Sequence, residues 1–469
     1  MTPDANDLCV FAVKRGNISN RFDVRNMRYS VSSVAIKQEK VTLGSLTVEE
    51  PCYGTSATAV PRTDEKQPKY IRITDFDDFD IPSGHMFMAA ESYSEKHLLK
   101  EGDILFARTG GTVGKTYYYD GSIGPAIFAG YCIRFRFDEK KVLPKFVYWY
   151  TKTNSYLSWV KGIQRPSGQP NINKEEFKSF EIIKPDHDAQ LKLSSKMDVA
   201  LKERQSKLHK ANELLSSNVQ YVLLRLGMSF EKSESRFIYA TTYSSIFERI
   251  DADYYSPSFS SFRRQIETSK YPTTSIGEIS EKIVSGFAAG KQDQADDLPD
   301  DQRVPHLRPF SITPEGELSF DTKKYVPKSR LKPEDYCRKK EVIFNNTNSP
   351  DLVGKTTVFD SDVLCAASNH MTRITVKEGV NPYYVAAFFN VLLNIGYWKL
   401  LCTNFNNQAG VNTDTLKKVK IPLPPKEVQD QIAVELMQRR SQANNLRKQA
   451  IKEWAEAKAQ FEKELLGET

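Results

Sequence analysis

Two stretches of the chain, from about residue 20 to 185 and from about 247 to 425, are dense in β-branched and aromatic runs. DILFAR (103–108), TYYYD (116–120), YCIRFRF (131–137), EVIFN (341–345), TTVFD (356–360) and MTRITV (371–376) predict strands. FVYWYTKTNSYLSWV (146–160) and PYYVAAFFNVLLNIGYWKLL (382–401) predict helices packed on them. After Pro185, and again after Pro424 and Pro425, the pattern changes to Lys, Glu, Gln, Leu and Ala, with no further Pro for some forty residues. The expected class is α+β, as two heads each followed by a long helix. The boundaries fall at 1–185 for the first head (1–19 as a leader), 186–227 for its helix, 228–425 for the second head (228–246 as leader or linker) and 426–469 for its helix.

Both helices repeat apolar positions every seven residues. Leu201, Leu208, Leu215 and Val222 form one series, with Met197 and Ala211 between; Leu436, Ala443, Ala450 and Ala457 form the other, with Ile432 and Leu446 between. Heptads predict helix-on-helix packing. About forty residues at 1.5 Å each reach ~60 Å, longer than a small domain is wide. An antiparallel coiled coil with pseudo-twofold closure is the expected arrangement.

The chain is written twice. CVFAVKRGNISNRFD from Cys9 aligns with FIYATTYSSIFERID from Phe237, matching Ala12 to Ala240, Ile18 to Ile246, Arg21 to Arg249 and Asp23 to Asp251. Further along, Gly44 meets Gly277, Gly114 meets Gly354, Asn173 meets Asn412, Pro185 meets Pro424 and Gly227 meets Gly467. The matches keep their order, and the offset rises in a few steps, as loop insertions in the second copy produce.

At 469 residues, two or more domains are expected. Mean hydropathy is −0.51, with no apolar run near the ~20 residues a membrane span needs and no basic-then-apolar start to suggest a secretory signal. The six cysteines are scattered without a CxxC pair, pointing to a reducing cytoplasm and away from structural zinc. A net charge of +7 permits a nucleic-acid partner without demanding one.

The matching Val-Gly-Lys-Thr segments at 113–116 and 353–356 raise the question of a nucleotide loop. A Walker loop needs Gly five residues before the second Gly and a helix after it. Thr109 and Ser349 stand there instead, and strand sequence follows. A glycine turn between strands is expected, its Lys either solvated or touching phosphate. Asn381-Pro-Tyr-Tyr resembles the amine-binding motif of amino-methyltransferases, but it lacks the second Pro and an upstream glycine-rich cofactor loop; a helix start with Pro in its first turn is expected. PEDYCRKKEVIF (333–344) fails the nuclease E-x-K step at Ile343. The histidines form no HExxH or Cys/His cluster, and no serine sits in G-x-S-x-G. No catalytic set is visible, and no metal site is expected.

Polar, amide-rich loops do occur at matching places. In the first head they supply Arg108, Thr109, Lys115 and Thr116, then Gln164, Arg165, Ser167, Gln169, Asn171 and Asn173. In the second they supply Asn345, Asn346, Asn348 and Lys355, then Asn369, His370 and Arg373, then Asn404, Asn406, Asn407 and Gln408. Arg reads guanine edges, Asn and Gln read adenine, and Lys, Ser and Thr seat phosphates. These are the candidate DNA contacts, although Asn equally favours turns.

GDILFARTGGTVGKT with its counterpart KEVIFNNTNSPDLVGKT, RFD and RIDADYY ahead of the heads, and the exits INKEEFKSFEIIKP and VNTDTLKKVKIPLPPKEVQDQIA together carry a family resemblance. The chain resembles the DNA-specificity subunit of type I restriction–modification systems, over nearly its whole length. The first exit departs from the family's pattern: EIIKPDHDAQLKL has one Pro and no Gln-Ile. The resemblance implies a non-catalytic subunit with two target-recognition domains. Each would read half of an asymmetric, bipartite site in double-stranded DNA, and the helices would set the gap. Two methyltransferase (modification) subunits carrying S-adenosylmethionine, and restriction/translocase subunits using ATP and Mg, would be its partners in the cytoplasm. No cofactor would be bound by this chain and no membrane engaged. A stand-alone two-headed DNA-binding regulator, or a divergent DNA-modifying enzyme, are the alternatives.

Overall fold

The computed structural model describes residues 40–77, 81, 84–163, 170–232, 252–321, 324–405 and 408–467, without the side chains of 404 and 405. The leader at 1–19, most of that at 228–246, the RFD segment and the start of RIDADYY lie outside the described residues. The chain forms two compact units: residues up to Ser206 together with those from Gln449 onward, and Lys207–Lys448.

The main elements of the first unit are β1 (Lys40–Thr42), β2 (Cys52–Tyr53), β3 (Lys69–Ile71), β4 (Ile104–Ala107), β5 (Thr116–Tyr118), β6 (Ala126–Phe128), β7 (Cys132–Phe135), α1 (Pro144–Tyr150), α2 (Asn154–Ile163), α3 (Lys174–Lys178) and β8 (Glu181–Ile183). An antiparallel sheet runs β2-β7-β4-β5, β3 pairs with β6 in parallel, and β1 pairs with β8. The central strand β4 is buried on both faces, which is why its sequence, ILFA, is apolar throughout. Side chains alternate across a strand. Ile104 and Phe106 accordingly join the core under α1 and α2, while Leu105 and Ala107 join a second core with Ile71 and Phe128.

The second unit repeats this plan. After α4 (Pro257–Glu267) come β9 (Thr273–Ser275), β10 (Ser280–Ser285), β11 (Arg303–Leu307), β12 (Val342–Asn345), β13 (Thr347–Asn348), β14 (Thr356–Val358), β15 (Ala366–Ala367), β16 (Met371–Val376), α5 (Pro382–Asn394), α6 (Tyr397–Leu401), β17 (Thr403–Phe405), β18 (Gln408–Gly410), α7 (Thr413–Lys418) and β19 (Lys420–Pro422). The sheet order is β10-β16-β12-β14, β11 and β15 pair in parallel, and β9 pairs with β19. Val342 and Phe344 face the helices, and Ile343 faces the opposite core.

The first long helix, expected over 186–227, is interrupted: His187–Ser216 is followed by a separate helix at Asn218–Arg225. The second spans Lys426–Leu466. Within the first unit Lys196 pairs with Glu464 at 2.6 Å; within the second, Asn212 accepts from Arg447 and Ser217 from Arg439, each at 3.2 Å. Numbers rise in one helix as they fall in the other, so the two pair antiparallel. Ala211, Ala443 and Ala450 are fully buried, whereas the heptad leucines Leu208 and Leu215 are only half-buried.

The helices also belong to the heads. Trp454 packs tilted against Trp149 and Phe461 against Phe146, each pair at 5.9 Å between centroids, inside the first head's core. Val222, Leu226 and Ile432 enter the second head's core. The repeat also holds at the exits, where the sequences diverge. Buried Gln190 donates to the Pro185 carbonyl and accepts from Leu143 N, as buried Gln429 donates to the Pro424 carbonyl and accepts from Asn381 N. The first exit thus keeps the counterpart of Gln429, while Lys192 and Leu193 stand where the second exit has Gln431 and Ile432.

Candidate nucleic-acid interface

Each head builds the same backbone frame where a strand of the central sheet ends. In the first, Arg108 N donates to the Tyr131 carbonyl at 2.9 Å, and Ile172 N donates to the Arg108 carbonyl at 2.8 Å. In the second, Asn346 N donates to His370 O at 3.0 Å and Val411 N to Asn346 O at 2.9 Å. Arg108 and Asn346 thus occupy one position, as do Tyr131 and His370. Thr109 bridges to Asn171 as Thr347 pairs with Gly410. Three loops distant in sequence meet at this rim, and the side chains they present differ between heads.

On the first rim, half-buried Arg108 donates from Nε to Asn171 Oδ1 at 3.3 Å and lies 4.9 Å from the Tyr53 ring centroid. Tyr131 is 61% exposed beside it. Sequence reasoning missed both tyrosines; nothing local marks them, since their exposure depends on how the strands end. On the second rim Asn369 and Gln408 are exposed, while His370 and Asn348 are half-buried. Gln164, Arg165, Ser167, Gln169, Asn406 and Asn407 lie outside the described residues, and for Asn404 only the backbone is described.

Several other candidates are engaged inside the fold. Thr116 is buried, its hydroxyl 2.6 Å from that of Thr151. Asn173 caps α3 by accepting from Glu176 N at 2.9 Å. Asn345 is fully buried and donates to Leu352 O, and Asn346 is buried and donates to Asn369 O and Thr372 Oγ1. Arg373 is buried, donates to the Glu334 and Tyr336 carbonyls and lies 3.5 Å from Glu341. Lys355 is buried and donates to Ile312 O at 2.7 Å, and burial holds its ammonium below the usual lysine range. A phosphate-contact role for Lys355 is therefore corrected to a structural one. Its counterpart Lys115 is half-buried.

The glycines of both Gly-Lys-Thr segments have packing reasons. Gly114 and Gly354 adopt φ of +86° and +98°, in the left-handed region. A Cβ would stand 2.6 Å from Val160 on α2, or 2.1 Å from Trp398 on α6. Asn381 caps α5, accepting from Tyr383 N at 2.8 Å, with Pro382 in the first turn. Among the described residues no group of three His, Cys, Asp or Glu is placed to hold a metal ion, and no helix is long and apolar enough to cross a membrane.

In β11, His306 is buried, and burial with the neighbouring Arg308 charge lowers its pKa from 6.5 to about 4. The folded chain keeps it neutral while the unfolded chain protonates below 6.5. Stability should therefore fall as pH drops from 6.5 towards 4, by about 3 kcal/mol in all. His306→Tyr should lose this sensitivity; urea midpoints of the second unit at pH 7 and 4.5 measure it, and an unchanged difference would contradict the assignment.

The profile of the type I restriction modification DNA specificity domain matches residues 56–215 and 269–453. The chain belongs to this family. A Methanocaldococcus jannaschii chain that carries the name of the MjaX type I restriction enzyme specificity subunit is 28% identical over 109 residues, covering 22% of this chain. The match spans only 26% of that relative's length. A chain from a structure of complex assembly and conformational transition in the type I restriction–modification system shares the fold at a TM-score of 0.54 and 14% identity, covering 92% of this chain and 98% of its own. The specificity subunit of Thermoanaerobacter tengcongensis aligns over 92% and 97%, at 14% identity and a TM-score of 0.39. The two profile matches follow the duplicated heads of this specificity-family chain, and each runs on into the long helix after its head.

Proposed function

We propose that this chain is the non-catalytic, sequence-specific DNA-binding subunit of a cytoplasmic type I restriction–modification complex. Each head reads one half of a bipartite, asymmetric site in double-stranded DNA. The observation that carries this reading is the rim itself: one backbone frame, built twice, presenting Arg108, Asn171, Tyr53 and Tyr131 in one head and Asn348, Asn369, His370 and Gln408 in the other. Equal frames with unequal side chains suit two half-sites of different sequence. The paired helices set the gap: 41 helical residues reach about 60 Å, or at most 1.5–2 turns of B-DNA at ~34–36 Å per turn. Two methyltransferase subunits dock on this chain, bring S-adenosylmethionine and methylate one adenine on each strand. Restriction/translocase subunits bring the ATP and Mg.

Exchanging residues 20–185 for the matching head of another family member should change one half-site and leave the other half and the gap unaltered. Sequencing the methylated motif in a host carrying the chimera measures this. Alteration of both halves would reject one-head, one-half-site reading.

A further inference from the structure

The second head contains a pocket of about 380 Å³ whose lining includes Lys291, His306, Arg308, Ser368, Asn369 and His370. Three polar atoms of this lining are buried without a hydrogen-bond partner: His306 Nδ1, Arg308 Nε and Ser368 Oγ. His306 and Ser368 are 3% and 2% exposed. Such orphaned groups are costly unless something is meant to meet them.

The first head shows how this place looks when it is closed. Tyr70 and His306 share a register, paired with Ile127 and Ala366 in the parallel strands, and Ala129 N donates to Ile71 O as Ser368 N donates to Leu307 O. In the first head the Tyr70 hydroxyl reaches the carbonyls of Thr55 and Ala57 at 3.1 and 3.0 Å. Asp75 holds Arg72 through Nε at 3.1 Å and Nη2 at 2.9 Å, and its carboxylate accepts from Arg72 N. In the second, Ser311 replaces that aspartate and its hydroxyl only accepts from Arg308 N at 3.1 Å, leaving the Arg308 guanidinium without the carboxylate. His306 replaces the tyrosine. Its Nε2 lies 3.2 Å from the Phe287 carbonyl, which can only accept, so the proton sits on Nε2; the Ala367 carbonyl also acts on the ring, and Nδ1 makes no hydrogen bond of its own. Ser368 replaces Ala129. Three substitutions on one frame open a donor, an acceptor and a hydroxyl that the first head lacks.

We propose that this pocket reads one base pair of the second head's half-site, Arg308 donating to a base acceptor while His306 and Ser368 receive an exocyclic amino group. The proposal rests on the DNA-reading function above. A phosphate offers only acceptors and would leave the His306 lone pair opposed by lone pairs. In the major groove an acceptor beside an amino group occurs at adenine N7 and N6, and across a G·C pair at guanine O6 and cytosine N4. The pocket's lip carries Asn369 and His370, the turn that forms the rim, so an edge presented to the rim also faces the pocket.

The test is selection of bound duplexes from a randomised library by the full-length chain. Three variants are compared: Ser311→Asp, which gives Arg308 the carboxylate Arg72 has; His306→Tyr with Ser368→Ala, which restores the first head's floor; and Arg308→Gln. Each should reduce base preference at one position of one half-site by roughly tenfold or more, with the other half-site unchanged. Deleting the amino group of the base there, as purine for adenine or 2-pyrimidinone for cytosine, should weaken the native chain and identify the base, yet leave the His306→Tyr/Ser368→Ala variant indifferent. Unaltered preference at every position, or a uniform loss across all sequences, overturns the proposal. If the native chain selects no sequence at all, the DNA-reading function itself is wrong and the pocket falls with it.

Discussion

Gly286→Ala is expected to unfold the second head while the first stays folded. A Cβ at this position would stand 2.2 Å from the Ala367 carbonyl oxygen and 2.4 Å from that of Ser368. Both are backbone atoms, so no rotamer change relieves the clash. The chain leaving β10 would have to lift away, breaking the hydrogen bond from Phe287 N to Ala367 O and the parallel bridge from Phe287 to Ser368. Loss of this crossing should cost about 4 kcal/mol or more, in the range where single changes become severe. Gly54 occupies the same crossing in the first head, 2.2 Å from Phe128 O, so Gly54→Ala should produce the converse result. Hydrogen exchange read by mass spectrometry separates the two: protection should vanish across 280–376 in one variant and across 52–135 in the other. Equal loss in both heads from either variant would contradict this.

Removal of residues 449–469 should unfold the first head, although more than two hundred residues separate them from the head they support. Trp454, Phe461 and Leu465 are buried in that head's core against Trp149 and Phe146. Each large-to-small change in a core costs about 3–5 kcal/mol, and three together exceed much of the 5–15 kcal/mol that stabilises a typical domain. Trp454→Ala alone should lower the first unit's stability by about 3–5 kcal/mol and leave Lys207–Lys448 unaffected. Unit-resolved denaturant titration gives the answer; equal destabilisation of both units would refute the assignment of these side chains to the first core.

The α+β heads and their duplication were legible because their signals are local. ILFA and the first three residues of VIFN are continuously apolar since both faces of β4 and β12 are covered, and Asn173 and Asn412 match because both cap the last helix of a head. The heptads indicated the helix pairing but hid the second role of Trp454 and Phe461, because a heptad records one partner face only. The candidate site was less legible. Lys355 and Arg373 look like phosphate and base contacts until their carbonyl partners, some forty residues away, come to meet them. His306 and Arg308 carry no motif. Their meaning lies in Ser311 standing where the first head has Asp75, which only aligned structures of the two heads expose.

The closing of the first unit by residues 449–467 also fixes an order of events during synthesis. Lys207–Lys448 is contiguous and can complete its core as soon as it leaves the ribosome. The head made first has to wait for the chain made last. At ~5–20 residues per second that delay is on the order of 10–50 seconds after Ser206 is added, during which Trp149 and Phe146 lack their cover. A chain cut short before Trp454 would present a finished second head with an unfinished first one. One of the two heads would be ready before the whole exists, and nascent-chain folding would proceed from the middle of the polypeptide outward.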